Sequence, residues 1–238
     1  PDDILPPLMA AKVNSRYREC VNARKSIIYE EYLPMKSGKN HWETMLNPVF
    51  DSDGRVERII GFARNIDSRK ELEKENRMNE QRLEALLKIS QFKAQTNQEF
   101  LDYTLEQAIY LTESRIGYIY FYDEEKKEFT LNTWSKEVMN ECKVKNPQTK
   151  YSLDKTGIWG EAVRQRKTIM INDFHANNPL KKGCPDGHVA IRKFLTIPVF
   201  MNDRIKAVVG VANKETDYND RDVMQLQLLM DSVWKISE

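Results

Sequence analysis

The sequence predicts an α+β protein in which two units of helices and antiparallel strands are joined by one long helix. Two hairpin patterns, one near residue 52 and one near residue 202, place polar turn residues between apolar runs of strand length. Between them, the stretch 68–98 contains neither glycine nor proline and is dense in Glu, Lys, Arg and Leu, which favours a helix. These features define a first unit over 1–66, a helical linker over 67–98 and a second unit over 99–238, whose first helix begins near 83.

The first unit begins with an amphipathic helix and continues with strands. Its predicted elements are a helix over 8–21, an extended segment over 27–33 and a hairpin with strands over 41–50 and 56–66. The run from Trp42 to Ile66 resembles the C-terminal half of a PAS domain, with Asn65-Ile66-Asp67 in the place of the Asp-Ile-Thr motif that couples a PAS sheet to the next helix. The resemblance implies a truncated PAS domain without its opening strands, so no ligand is assigned to it. Asn65 cannot carry the charge of the aspartate in that motif, which argues against the usual salt bridge.

The linker helix carries a candidate dimer seam. Leu72, Asn76, Asn79, Leu83 and Leu86 fall on alternating d and a positions of a heptad repeat. This spacing favours a weak parallel coiled coil in which Asn76 sets the register. The alternative is a solvated single helix whose last two turns dock on the second unit. We predict a homodimer formed through this helix and the helices of the second unit.

The second unit alternates helices and strands. Its predicted elements are a helix over 100–111, strands over 117–122 and 128–134, a short helix within 156–163, a strand over 168–171, a hairpin over 194–212 and a helix running through Val233. This order predicts a central antiparallel sheet with helices at both chain ends of the unit and loops over one face.

Four polar residues follow the second hairpin at fixed spacing. Asn213 and Lys214 come directly after its second strand, Tyr218 lies four residues beyond Lys214, and Asp222 stands near the start of the last helix. An acid at that place can pair with Lys214 and also suits the positive N-terminus of the helix. The pattern resembles the Asn-Lys…Phe-x-x-x-Asp-Glu signature of GAF domains, with Tyr218 in place of the phenylalanine and Val223 in place of the glutamate. In that family the Lys–Asp pair is chiefly a structural brace, and ligands lie between the sheet and the loops over it.

The segment 173–194 is the longest irregular stretch of the second unit, and the GAF resemblance makes it the wall of a ligand pocket. We predict as ligand-binding residues Trp134, Trp159, Asp173, Phe174, Cys184, His188 and Phe194. The aromatic members supply apolar surface, and His188 can donate, accept or ligate. Lys181 and Lys182 could meet an anion, although two exposed lysines are more often a solvated loop.

Cys184 and His188 also allow an alternative, a haem-binding redox or gas sensor, because both side chains are known axial ligands of haem iron. The other interpretation makes Pro185-Asp186-Gly187 a turn, with His188 bonded to the backbone. A bilin is disfavoured, since the phytochrome cysteine of a GAF domain lies directly before a histidine. No cofactor is assigned, and no metal site is predicted apart from this haem alternative.

Composition narrows the class of protein. The formal net charge of +1 gives no global basic field, so no nucleic-acid partner is predicted. No apolar run approaches the ~18 residues of a membrane-spanning helix, and no signal peptide is evident at Pro1, so a cytoplasmic location is expected. The three cysteines, Cys20, Cys142 and Cys184, lack a Cys-x-x-Cys spacing, which argues against a disulfide framework or a zinc site.

Catalysis is not expected in this chain. Some GAF domains reduce free methionine sulfoxide through a thiolate nucleophile and a resolving cysteine, and only Cys142 and Cys184 are available for such a thiol reductase. The resemblances instead imply a sensory input fragment of a signal-transduction protein, such as a sensor histidine kinase. In this interpretation the GAF domain binds an unidentified small molecule or relays a conformational change through its helices.

Overall fold

The computed structural model describes residues 7–33, 38, 40–136, 138, 149–182 and 189–236. The chain divides into two compact units, Pro1–Met78 and Asn79–Glu238, and the boundary falls within one long helix. Each unit combines helices with an antiparallel sheet, which confirms the predicted α+β fold class. Within the described part of the chain, no helix has the length and apolar character needed to cross a membrane.

The first unit contains a helix and a three-stranded antiparallel sheet. Helix α1 spans Pro7–Ala23, and the strands are β1 (Ile27–Tyr32), β2 (His41–Phe50) and β3 (Val56–Asn65), adjacent in that order. Side chains alternate along β2, so Thr44 and Leu46 are buried while Met45 between them is exposed. Cys20 of α1 packs against this strand, and its Sγ donates to the carbonyl of Leu46 at 3.6 Å.

The long helix α2 (Asp67–Gln91) is fastened to this sheet by its first residue. The Asp67 carboxylate accepts hydrogen bonds from the backbone N–H groups of Asn40 and His41 at 3.0 and 2.9 Å. It also bonds to Asn65 Nδ2 and His41 Nδ1, both at 2.7 Å. These bonds hold the pKa of Asp67 well below its usual range, and the side-chain bonds from Asn65 and His41 contribute most to this effect. Asp67 therefore supplies, two residues later, the negative charge that Asn65 cannot carry.

The end of α2 corrects the prediction of a helical linker that reaches residue 98. The helix ends at Gln91, because Phe92 and Thr96, which follow it, make contacts with other parts of the second unit. The ring of Phe92 stacks on Tyr103 with 4.3 Å between centroids. The Thr96 side chain accepts a hydrogen bond from the N–H of Glu99 at 3.1 Å and so begins the next helix, α3 (Asn97–Leu111).

The second unit is built on a six-stranded antiparallel sheet with the spatial order β6-β5-β4-β9-β8-β7. Its strands are β4 (Ile116–Asp123), β5 (Glu128–Trp134), β6 (Lys150–Ser152), β7 (Ile169–Ile171), β8 (Phe194–Met201) and β9 (Arg204–Ala212). The other α-helices that the structure describes in full are α4 (Glu161–Arg164) and α5 (Asp220–Ile236). The β8–β9 hairpin turns at Asn202 and Asp203, whose φ angles are 49° and 60°. Two consecutive positive φ angles are what a two-residue type I′ turn requires.

Helices α3 and α5 and the last turns of α2 cover one face of this sheet. The core between them includes Ile89, Leu105, Ile119, Val209 and Leu229, all essentially inaccessible to solvent. The opposite face carries the alternate side chains of each strand. Two 3-10 turns, Leu153–Lys155 and Ile158–Gly160, pack over that second face together with α4. The sheet therefore separates a helical layer from a layer of short segments and loops.

Candidate functional site

A cavity of about 880 Å³ lies on the face of the six-stranded sheet that α3 and α5 leave uncovered. Strands β4 and β9 form its floor, and the segments after β6 and β7 form its walls. The described residues that line it are mostly apolar or aromatic. Its volume falls within the range of about 300–1,000 Å³ that is usual for small-molecule sites.

Trp159 stands at the centre of the aromatic lining. Its ring centroid lies 4.7 Å from that of Phe129, 5.1 Å from that of Tyr120 and 5.7 Å from that of Tyr151. Rings at these separations attract each other beyond the area that they bury. The cavity thus has a wall of mutually packed aromatic side chains and not of isolated ones.

Arg164 of α4 holds the backbone that carries Trp159. Its guanidinium donates to the carbonyls of Thr156 and Gly157 at 3.1 and 2.8 Å. On its other side it pairs with the buried carboxylate of Glu161 at 2.5 Å. A planar group with several fixed donors is suited to pinning adjacent carbonyls in one geometry. Arg164 is therefore a scaffold residue of the cavity wall.

Tyr118 lies over β9 because Gly210 has no side chain. A Cβ atom at Gly210 would stand 2.3 Å from the Tyr118 ring, closer than packed atoms can approach. The Tyr118 hydroxyl donates to Thr196 Oγ1 at 3.0 Å. Burial raises the pKa of both Tyr118 and Tyr120 above the usual tyrosine range. Both phenols are therefore neutral and present uncharged rings to the cavity.

The basic side chains of the lining are exposed or partly exposed, and the part of the cavity where they lie is called its opening. They are Lys155, His175, Lys181 and Lys182. The ammonium of Lys181 donates to the carbonyls of Phe174 and Ala176 and lies 4.7 Å from the centroid of the Phe174 ring. The ammonium of Lys182 donates to the carbonyl of Asp154. Among the described residues that line the cavity there is no aspartate or glutamate.

The structure brings four of the predicted ligand-binding residues to this cavity, namely Trp134, Trp159, Phe174 and Phe194. Asp173 does not line it. The carboxylate of Asp173 instead accepts hydrogen bonds from the N–H groups of His175 and Ala176, so it shapes the turn after β7. Cys184 and His188 lie outside the described residues, and the haem alternative that rests on them stays a prediction.

Sequence reasoning missed the tyrosines of the floor, Tyr118 and Tyr120, and Tyr151 of β6. The signal that could have found the first two is their period of two within β4. Residues 116–122 are apolar or aromatic throughout, however, so the pattern alone does not say which face meets the helices.

Two asparagines tie the loop over the cavity to the segment that precedes α5. Asn172, directly after β7, accepts a hydrogen bond from the N–H of Tyr218 at 2.7 Å and donates to the Tyr218 carbonyl at 2.9 Å. Asn213, directly after β9, donates to the carbonyl of Ala190 at 2.7 Å and accepts from the N–H of Arg192 at 2.8 Å. Each amide makes two bonds to the main chain, so each fixes a backbone position.

The remaining signature residues bind that segment to the helices. The Lys214 ammonium lies 2.7 Å from Asp222 Oδ1, and both residues are buried. The second carboxylate oxygen of Asp222 accepts the N–H of Asn219 at 3.0 Å. The Tyr218 hydroxyl shares a 2.7 Å hydrogen bond with Ser114, just after α3. None of the four signature residues lines the cavity, so their position is that of a brace.

Among the described residues the one cysteine is Cys20, which belongs to the first unit. It is fully buried, and this burial raises the pKa of its thiol, which disfavours the reactive thiolate. Cys142 and Cys184, on which the reductase alternative depends, lie outside the described residues.

The comparisons with known proteins agree with this architecture. Residues 94–236 match the family model of the GAF domain, and this chain therefore belongs to the GAF domain family. Residues 1–71, which precede that domain, match the model of the PAS fold.

A curated relative is the methyl sulfide methyltransferase-associated sensor of Methanosarcina acetivorans, which is 39% identical over 235 residues. The alignment covers 99% of this chain but 23% of that protein, so the chain spans about a quarter of the relative's length. Similar solved structures include the GAF domain of a phosphoenolpyruvate-protein phosphotransferase from Coxiella burnetii, with a TM-score of 0.54, 15% identity and coverage of 66% of this chain and 93% of that one. The free methionine-R-sulfoxide reductase of Neisseria meningitidis gives a TM-score of 0.51 at 15% identity and covers 66% and 86%. At such identities the two structures show the fold alone.

Proposed function

We propose that this chain is a sensory input segment of a signal-transduction protein, that its GAF cavity binds a small molecule, and that its helices relay the change. The succession of a PAS fold and a GAF domain supports a sensory role, as does the word sensor in the name of the Methanosarcina acetivorans relative. A histidine kinase or another effector, if this segment controls one, would lie outside this chain. The chain itself is then a binding module without catalysis, located in the cytoplasm.

One structural feature carries this proposal. The loop over the cavity is hydrogen-bonded near both of its ends to the segment 213–219, which precedes α5. Asn172 bonds to both backbone groups of Tyr218 at one end, and Asn213 bonds to Ala190 and Arg192 at the other. The residues lining the cavity include Ala190 and its neighbour Ile191. Any ligand that repositions this loop therefore pulls on the segment 213–219.

The same segment is held to two helices. The Lys214–Asp222 pair joins it to the first turn of α5, and the Tyr218–Ser114 hydrogen bond joins it to the residues after α3. Because packed elements shift between discrete arrangements and deform little, a small loop movement can bias the position of α5. Ligand binding would in this way select among pre-existing positions of the helix.

We also propose that the chain forms a parallel homodimer through the helix α2. Its exposed leucines Leu72, Leu83 and Leu87 have relative accessibilities of 60%, 62% and 54%. Leu86, a predicted seam residue, packs in part against the core of the second unit, and the exposed leucine next to Leu83 on the helix surface is Leu87, at the neighbouring e position of the heptad. Exposed leucines at helical spacing are the usual mark of a helix that packs against a partner.

The experiment that tests the relay is hydrogen exchange on the whole chain with and without 1-anilinonaphthalene-8-sulfonate, an aromatic probe of suitable size. We expect the probe to slow exchange in the loop segments around the cavity and in α5. In Asn172→Ala the loop should still be protected, while the effect on α5 should fall. Asn178→Ala, in the same loop but without a bond to the segment 213–219, is the matched control.

A second pair of variants tests the site itself. Ala190→Trp places a large ring at a lining position, whereas Ala176→Trp adds the same ring to the same loop at a position that does not line the cavity. Binding of the probe should weaken in Ala190→Trp alone. Equal binding by both variants would show that the probe occupies another site. Protection of the loop without any change in α5 would refute the relay and leave the binding site.

A further inference from the structure

We infer that the cavity selects an organic anion, namely a flat apolar body that carries a carboxylate, sulfonate or phosphate group at one end. This inference rests on the proposed function, because it specifies the ligand of the same cavity. It follows from two separate properties of the lining, one of which concerns the inner walls and the other the opening.

The inner walls offer large aromatic surfaces and few free hydrogen-bonding groups. The Tyr118 hydroxyl, for example, is engaged with Thr196. Polar groups that already have partners inside the protein gain little from a ligand. The part of the ligand that enters most deeply is therefore apolar, and the rings of Trp159 and its neighbours favour a flat shape.

The opening has the contrary character, because the charged residues among its described lining are all basic. Lys155, Lys181 and Lys182 each bring a positive charge, and no acidic residue belongs to the described lining. The chain as a whole has 37 basic and 36 acidic side chains, so this local excess is not a reflection of composition. Among the described residues none of these three ammonium groups forms a salt bridge with a carboxylate; Lys182 acts only at longer range on Glu161, whose carboxylate is already paired with Arg164. The local field at the opening is therefore positive and favours an anion.

Two of the lysines are also held in place, which a merely solvated lysine is not. The Lys181 ammonium is bonded to the carbonyls of Phe174 and Ala176, and the Lys182 ammonium to that of Asp154. An ammonium has three donors. Lys181 therefore keeps one donor and Lys182 two beyond those bonds, available to an acceptor on the ligand.

The test compares two probes with the same ring system. One is 1-anilinonaphthalene-8-sulfonate, and the other is N-phenyl-1-naphthylamine, which lacks the sulfonate. Their affinities for the whole chain are measured by fluorescence for wild type, Lys155→Gln, Lys182→Gln and the double variant. The matched control is Lys126→Gln, an exposed lysine in the turn after β4 that does not line the cavity.

We expect each neutralised lysine at the opening to weaken the sulfonate probe roughly two- to fivefold, as removal of one partly exposed charge pair does. The neutral probe and the control variant should be unaffected, and raising the salt concentration should weaken the sulfonate alone. Equal losses for both probes, or none for the sulfonate, would overturn the anion selectivity. In that event, sensitivity of both probes to Ala190→Trp would leave the cavity as a binding site, whereas insensitivity of both would refute the proposed function itself.

Discussion

Replacing Asp222 by alanine should destabilise the second unit by roughly 2–4 kcal/mol. The side chains of Lys214 and Asp222 have accessibilities of 9% and 4%, so the change leaves a buried ammonium without its partner at 2.7 Å. Removing one partner of a buried pair usually costs about 3–5 kcal/mol. Glu113, 3.3 Å from the same ammonium but 77% exposed, compensates in part. The lost bond to the N–H of Asn219, which caps α5, adds about 1 kcal/mol.

The assay is urea unfolding of the whole chain followed by tryptophan fluorescence. A Trp42→Phe background restricts the signal to the second unit, whose tryptophans are Trp134, Trp159 and Trp234. Lys214→Ala should cost a similar amount, and the double variant should cost roughly 1–3 kcal/mol less than the sum, since the two side chains interact directly. Asp231→Ala, exposed on the same helix, should change stability by less than about 0.5 kcal/mol. Additivity of the two single changes would refute the pairing.

Four further outcomes are expected. Because the pKa of Asp67 is depressed in the folded state, its carboxylate stabilises the first unit fully above about pH 4, where an unfolded aspartate is ionised, and this stabilisation is lost as the pH falls through the folded-state pKa. Hydrogen exchange of β2 should therefore become faster in acid. In Asp67→Asn this dependence on pH should be weaker. Gly210→Ala should destabilise the second unit by roughly 1–3 kcal/mol through overpacking against Tyr118, and in a Tyr118→Ala background the same change should cost less, as measured by urea unfolding. Leu83→Lys combined with Leu87→Lys should convert a dimer into a monomer in light scattering, and an unchanged mass would place the interface elsewhere. Protein purified from a haem-supplied host should show no Soret band, whereas a Soret band would establish the haem alternative.

Local signals account for most of the fold that the sequence predicted. The polar pair Asn202-Asp203 between two apolar runs suffices to place the β8–β9 hairpin, because the turn chemistry is decided within a few residues. The end of α2 was not predictable in the same way. Phe92 leaves the helix to stack on Tyr103, which is eleven residues away, and helix propensity contains no such information.

The site shows the same division. Phe174 and Phe194 were predicted because they stand at the ends of the long loop, and described residues near both ends of this loop do line the cavity. The attachment of Asn172 to Tyr218 joins residues 46 positions apart, and no periodicity reveals a contact of that separation. Likewise, a glycine within a strand is expected from the sequence alone to weaken that strand. The reason for glycine at position 210 is visible only in the structure, where the Tyr118 ring packs against it.

Asn213 and Lys214 do not line the cavity, but because they are adjacent they connect the loop over the cavity to α5. Asn213 has a φ angle of 62°, a left-handed conformation that asparagine tolerates better than most residues. At this turn the asparagine amide bonds to the loop at Ala190, while the next side chain bonds to Asp222 of α5. One residue of backbone therefore separates the attachment of the cavity loop from the attachment of the helix. In the proposed relay, a change in the loop that alters the backbone at Asn213 would act directly on the neighbouring Lys214, and the buried ion pair would connect it to α5.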